Sequence, residues 1–173
     1  MKARARGSST RTRRRRAEVP SDKREAKEPI LQVLVIDDEP DILALCRITL
    51  TRGGHTVLEA ATADEGLKLA LAESPDLIVL DIMLPNRDGF SLLDELVSDP
   101  ITHDVPVVLL TAKTRPQDRA RAWESGASGY VTKPFAPATL NETVRLVARM
   151  SPQERSVVRD QALSALDPAL PRD

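Results

Sequence analysis

Asp37, Asp38, Asp81, Thr111 and Lys133 are polar residues that each follow directly on a short apolar run. Leu31-Gln32-Val33-Leu34-Val35-Ile36 ends at Asp37-Asp38, and Asp76-Leu77-Ile78-Val79-Leu80 ends at Asp81. Val105-Pro106-Val107-Val108-Leu109-Leu110 ends at Thr111, and Gly129-Tyr130-Val131-Thr132 ends at Lys133-Pro134. Brought to one place, three carboxylates, a hydroxyl and an ammonium make a site for a divalent cation and a phosphoryl group. A hard cation takes oxygen ligands, and phosphoryl transfer asks a protein mainly for positioning and charge neutralisation. Taken alone, an Asp-Asp pair after a strand is equally a helix N-cap beside a turn. The third carboxylate, at the end of a second apolar run, tips the reading toward a site.

Convergence requires elements that carry all four ends to one edge. Short β-rich runs alternate here with helix-length amphipathic stretches, which is the pattern of βα units around a parallel sheet. In such α/β folds the ligand crevice lies beyond the carboxyl ends of the strands. A first helix begins near Glu39-Pro40, turns Ile42, Leu45, Cys46 and Thr49 inward, and ends at Gly53-Gly54; His55 to Ala60 is a second strand. Thr62 and Glu65 form a capping box for a helix with Leu67, Ala70 and Leu71 on one face, closed by Pro75. The turn-rich Pro85-Asn86-Arg87-Asp88-Gly89 precedes a helix with Phe90, Leu93 and Val97 inward. A fourth helix is expected over about 116–125 and a fifth over about 137–150.

Composition bounds the class. Hydrophobic residues make up 41% and aromatics only 2%, so the core must be built from Val, Leu, Ile and Ala. The single cysteine, Cys46, permits no internal disulfide and suits a reducing cytoplasm; on the apolar side of a helix it reads as a buried structural thiol. No apolar stretch approaches bilayer length, and the N-terminal arginines precede no apolar segment of a secretory signal. A soluble cytoplasmic protein is expected. Residues 1–29 hold 11 Lys/Arg against 4 Asp/Glu, a net +7, while the remainder carries −8. Such a segment cannot bury enough apolar surface to offset its ordering entropy, so 1–29 reads as a disordered basic tail. Its Arg13–Arg16 run could meet nucleic acid or anionic lipid by charge; a solvated tail without a specific partner is the plainer reading. Residues 151–173, with three prolines, are too short for a DNA-binding module. They read as a C-terminal extension without an output domain, either prolonging the last helix by a turn or two or remaining loose.

Over residues 31–150 the chain resembles the receiver domain of bacterial two-component response regulators, of the stand-alone type. The matching residues are Val35-Ile36-Asp37-Asp38-Glu39-Pro40, Leu80-Asp81-Ile82-Met83-Leu84-Pro85 with Asp88-Gly89, Thr111-Ala112, and Gly126-Ala127 followed by Tyr130-Val131-Thr132-Lys133-Pro134-Phe135. The resemblance implies an α/β fold, a doubly wound five-stranded parallel sheet of the flavodoxin-like (βα)5 type. It implies that Asp81 is the phosphoacceptor and that Mg2+ is held by Asp38 and Asp81, by Asp37 directly or through water, and by the backbone carbonyl of Met83. It also implies that Lys133, aimed by a cis bond to Pro134, neutralises the phosphoryl charge, and that Thr111 and Tyr130 form the switch. Lys133 is expected at a solvated crevice, so that its loss harms activation more than stability. Met83 and Lys113 occupy positions that tune phosphoryl lifetime in the family. Many receivers that dimerise carry two acidic residues before the switch aromatic; Ser128 and Gly129 stand there in this chain, which puts that dimerisation mode in doubt.

The implied function is that of a phosphoacceptor response regulator in a two-component phosphorelay. Its phosphoryl donor is a sensor histidine kinase or histidine phosphotransfer protein, and its output is a conformational switch read by a downstream protein, with no turnover of other substrates. Two rivals stand beside it. One is a receiver that gates nucleic-acid binding through the Arg-rich tail, and the other an aspartyl-phosphate hydrolase. The Asp37-Asp38-Glu39-Pro40 loop lacks the second-carboxylate spacing that such hydrolases use for acid/base catalysis.

Overall fold

The computed structural model describes residues 29–85 and 87–166. The basic segment expected to be disordered lies outside the described residues, save for Pro29. Five strands, β1 (Gln32–Ile36), β2 (Thr56–Ala60), β3 (Leu77–Leu80), β4 (Val107–Thr111) and β5 (Gly129–Thr132), form one sheet in the order β2-β1-β3-β4-β5. Every pairing is parallel. The intervening helices are α1 (Pro40–Arg52), α2 (Ala63–Glu73), α3 (Gly89–Ser98), α4 (Pro116–Glu124) and α5 (Pro137–Arg149), and a sixth, α6 (Pro152–Leu166), follows.

A parallel sheet whose crossovers place helices on both faces is buried on both, which is why its strands read as unbroken apolar runs rather than alternating ones. The side chains still alternate between the two faces. Leu34, Ile36, Ile78, Leu80, Val107 and Leu109 enter one core with residues of α2, α3 and α4, among them Ala70, Phe90, Leu93 and Trp123. Val33, Val35, Leu77, Val79, Val108 and Leu110 enter a second core with Cys46 and Leu50 of α1 and Leu140, Val144 and Val147 of α5. Aliphatic side chains predominate in both cores, with Phe90 and Trp123 the buried aromatics of the first. Cys46 is fully buried, and burial pushes its thiol up to about 12, so it is an inert core residue.

Local signals place most of the boundaries. Pro40, Pro116 and Pro137 each sit in a first helical turn, where the missing N–H costs nothing. At α2 the Glu65 amide donates to Thr62 Oγ1 at 3.2 Å, while the Glu65 carboxylate accepts from the Ala61 amide rather than the Thr62 amide of the usual box. On α3 the buried set is wider than expected, adding Leu92 and Leu96 to Phe90 and Leu93.

The C-terminal extension departs from expectation. Residues 152–166 neither continue α5 nor remain loose. They form a separate helix that packs on α4. Ser151 and Glu154 make a reciprocal capping box, with the Ser151 amide on Glu154 Oε2 at 2.7 Å and the Glu154 amide on Ser151 Oγ at 3.3 Å. Pro152 takes the first helical position, so one of the three prolines starts this helix rather than preventing it.

Candidate functional site

The strand register delivers the predicted residues to one edge. Ile36 pairs with Leu80, and Leu80 with Leu109. The β1 ladders continue one residue past the strand ends, through Asp37 N on Ala60 O at 3.1 Å and Asp81 N on Ile36 O at 2.9 Å. Asp37 and Asp81 are therefore fixed by the sheet itself, with Asp37 fully buried and Asp81 3% exposed. Thr111 pairs with Thr132, and Lys133 N donates to Thr111 O at 2.9 Å, which sets the lysine just beyond β5. The Lys133–Pro134 peptide is cis.

Between the strand ends one cation meets three anions. Lys133 Nζ lies 2.6 Å from Asp37 Oδ2, 2.7 Å from Asp81 Oδ2 and 2.9 Å from Glu39 Oε1. Its side chain is only 10% exposed, so the ammonium is enclosed by carboxylates rather than standing in open solvent as expected. Burial alone would push its pKa down, but the close contacts with the Asp37, Asp81 and Glu39 carboxylates outweigh it and hold the lysine above its usual value. The Asp37 carboxyl is pushed up by burial, against the lowering effect of Lys133 and the Glu39 amide. Glu39 was not assigned a role from the sequence. The sequence pattern marks it as the start of α1, and its place directly after the Asp pair is the signal that would have found it.

The remaining oxygens have distinct environments. Asp81 Oδ1 accepts from Met83 N at 2.8 Å, which folds the chain back over the carboxylate. That turn runs so close to the start of α3 that a Cβ on Gly89 would stand 2.3 Å from Ile82 Cα. Any side chain at Gly89 would force the loop behind Asp81 outward. Carboxylate oxygens of Asp37, Asp38 and Asp81 lie within 4.8 Å of one another, Asp38 being the most exposed of the three. This donor set fits a hard cation. Asp37 Oδ2 is buried without a directional hydrogen-bond partner, met only by the ionic approach of Lys133.

Thr111 and Tyr130 lie on one linkage beside this cluster. Thr111 is fully buried, and its Oγ1 accepts from Lys113 N at 3.2 Å. The half-buried Tyr130 donates its hydroxyl to Lys113 O, and the Arg119 guanidinium of α4 sits 5.5 Å from its ring centroid. Trp123 is 7% exposed and belongs to the core. At Gly129 a Cβ would stand 3.0 Å from Val147 Cγ2 and 3.2 Å from Val108 Cγ2, so a side chain there would have to displace its neighbours.

Comparison with known proteins agrees with this geometry. The family model described as the response regulator receiver domain matches residues 33–145. The alkaline phosphatase synthesis transcriptional regulatory protein PhoP of Bacillus subtilis is 41% identical over 120 residues, covering 69% of this chain and 49% of its own length. The phosphate regulon transcriptional regulatory protein PhoB of Escherichia coli is 38% identical over 139 residues, covering 79% of this chain and 60% of its own length. The chain thus spans about half of the curated relatives it matches. Among solved structures, the chemotaxis response regulator CheY4 of Vibrio cholerae superposes with a TM-score of 0.66 at 30% identity, over 69% of this chain and 99% of its own. The BeF3-activated N-terminal receiver domain of Klebsiella pneumoniae RstA gives 0.64 at 31% identity, over 69% and 99%.

Proposed function

The chain belongs to the response regulator receiver domain family, and from that premise we propose that it is a phosphoacceptor. Asp81 takes a phosphoryl group from the phosphohistidine of a sensor histidine kinase or a histidine phosphotransfer protein, and the modified protein signals to a protein partner through a changed surface. The observation that carries this reading is the Lys133 ammonium, 2.7 Å from Asp81 Oδ2 inside a cluster of further carboxylates.

An Asp81 oxygen attacks phosphorus, the P–N bond to the donor imidazole breaks, and its electron pair leaves with the imidazole, which takes up a proton. An acyl phosphate results, a form of covalent catalysis. Asp37, Asp38, Asp81 and the carbonyl of Met83 would hold Mg2+, which when bound supplies positive charge to the phosphoryl oxygens. Lys133 gives the second positive charge as its hydrogen bonds pass from carboxylates to phosphoryl oxygens. The Thr111 hydroxyl leaves Lys113 N to donate to the phosphoryl group, and Tyr130 follows the loop to which its hydroxyl is bonded. The protein turns over its own acyl phosphate and no separate substrate.

Trapping tests the assignment at residue level. Borohydride reduces an aspartyl phosphate to homoserine, so peptide masses after phosphorylation and reduction should place homoserine at position 81. Homoserine at 37 or 38 instead, or at none of the three, would overturn it.

A further inference from the structure

The α6 helix is attached to two different parts of the molecule. At its N-terminal end Arg155 donates to Asp104 O at 2.8 Å and to Met150 O at 3.2 Å, tying the helix to the loop before β4 at the edge opposite the acidic cluster. Toward its C-terminal end Ala162, Leu163 and Leu166 pack against the core that contains Ala122 and Trp123 of α4. The half-buried residues of α6 form one helical stripe, 155/156, 158/159, 162/163 and 166.

The hold is shallow. No residue of α6 is buried, whereas α5 sinks Leu140, Val144 and Val147 into the core. Of the seven half-buried residues of α6 three are polar, Arg155, Ser156 and Arg159. A helix of this length is marginal in water without a partner surface, so leaving α4 and unwinding go together.

The linkage from Thr111 leads to α4. Lys113, bonded to both Thr111 Oγ1 and the Tyr130 hydroxyl, stands three residues before α4 begins, and Arg119 of α4 covers the Tyr130 ring. Drawing the Thr111 hydroxyl toward Asp81 would break its bond to Lys113, in the short loop that leads into α4. A helix fastened both to α4 and to the Asp104 loop cannot follow one without straining its hold on the other.

We propose that α6 is a removable cover on α4: docked as observed, it opposes the shift of α4 that phosphorylation of Asp81 requires, and it leaves α4 when that phosphorylation occurs. The proposal rests on the phosphoacceptor reading given above. An element that binds one arrangement better than another lowers the population of the other, and the rate of a reaction that needs it.

Hydrogen exchange and phosphorylation kinetics on the full chain test it, using acetyl phosphate with Mg2+. Three proteins are compared: wild type, Leu163→Glu/Leu166→Glu, and Arg155→Ala, which loosens the other end while leaving the apolar contacts in place. In wild type, amides of 152–166 should lose protection on phosphorylation while those of α5 keep theirs. Both variants should phosphorylate about fivefold faster or more, the lower range of couplings between sites. Unchanged protection at 152–166, or rates equal to wild type in both variants, would overturn the cover. No adduct on any of the three chains would sink the phosphoacceptor reading, and the cover with it.

Discussion

Lys133 Nζ stands 2.6 Å from Asp37 Oδ2 and 2.7 Å from Asp81 Oδ2, so a single ammonium from the end of β5 bridges the carboxylates that end β1 and β3. One edge strand, β5, and two interior ones, β1 and β3, are thereby joined at the end of the sheet where chemistry is expected. The same contact compensates for burying acidic groups that the sheet ladder fixes in place.

Removing that cation is expected to cost stability as well as function. With its side chain 10% exposed, Lys133→Ala should destabilise the fold by about 2 kcal/mol at neutral pH, the order for uncovering buried polar partners. Lys133 holds the Asp37 carboxyl down, so without it Asp37 rises further and its protonated form dominates the folded state over a wider range. A raised folded pKa gives stability that is lost as pH rises, so the deficit should grow from acid to neutral pH. Urea melts across that range check it; a constant or shrinking deficit would contradict the ionic role.

The opposite substitution should stabilise. Burial already pushes the Asp37 carboxyl up, which means the fold favours its neutral form. Asn at 37 keeps an oxygen for the Glu39 amide, which Asp37 Oδ1 accepts at 3.0 Å. Asp37→Asn should gain about 1 kcal/mol, or about 2–4 °C in Tm. Wild type should be stabilised by added Mg2+ through mass action, and the variant much less. A thermal shift assay with and without the ion reads both effects.

Asp88 separates a capping contribution from a surface ion pair. Its Oδ1 accepts from Phe90 N at 3.2 Å as the N-cap of α3, and its Oδ2 pairs with Arg121 at 3.0 Å. Loss of a cap costs about 0.5–2 kcal/mol and an exposed pair about 0–1 kcal/mol. Asp88→Ala should therefore destabilise more than Asp88→Asn, which keeps the cap acceptor. Equal losses in denaturant melts would assign the energy to the pair.

Thr111 should matter after the adduct forms rather than for forming it. Thr111→Val removes the hydroxyl that accepts from Lys113 N at 3.2 Å, a loss of about 1 kcal/mol. The adduct on Asp81 should still appear by mass. Emission from Trp123, the chain's only tryptophan, should respond to phosphorylation in wild type and not in the variant. A wild-type response from the variant would remove Thr111 from the switch.

Strand ends were legible because a parallel sheet buried on both faces writes its strands as apolar runs that stop at the first residue past the ladder. Asp37, Asp81 and Lys133 are those residues, and the structure brings them within hydrogen-bonding reach of one ammonium. Enclosure was not legible. Nothing in the local sequence around Lys133 shows that Glu39, 94 positions away, closes over it at 2.9 Å. The burial of Leu92 and Leu96 depends likewise on the core residues that other elements bring against α3. The α6 helix could have been found from Ser151, Pro152 and Glu154 as a capping box with Pro at the first position. Its partly polar inward stripe hid the signal, because apolar periodicity is weak where a helix is fastened by arginine to backbone carbonyls.

The central claim is that Asp81 accepts a phosphoryl group in a reaction that needs a divalent cation. Intact mass of the full chain after incubation with acetyl phosphate tests it most directly, with Mg2+ or with EDTA, alongside Asp81→Asn. One phosphoryl adduct is predicted in wild type with Mg2+, and none with EDTA or in the variant. An adduct that persists in Asp81→Asn, or that forms equally well in EDTA, would contradict the account.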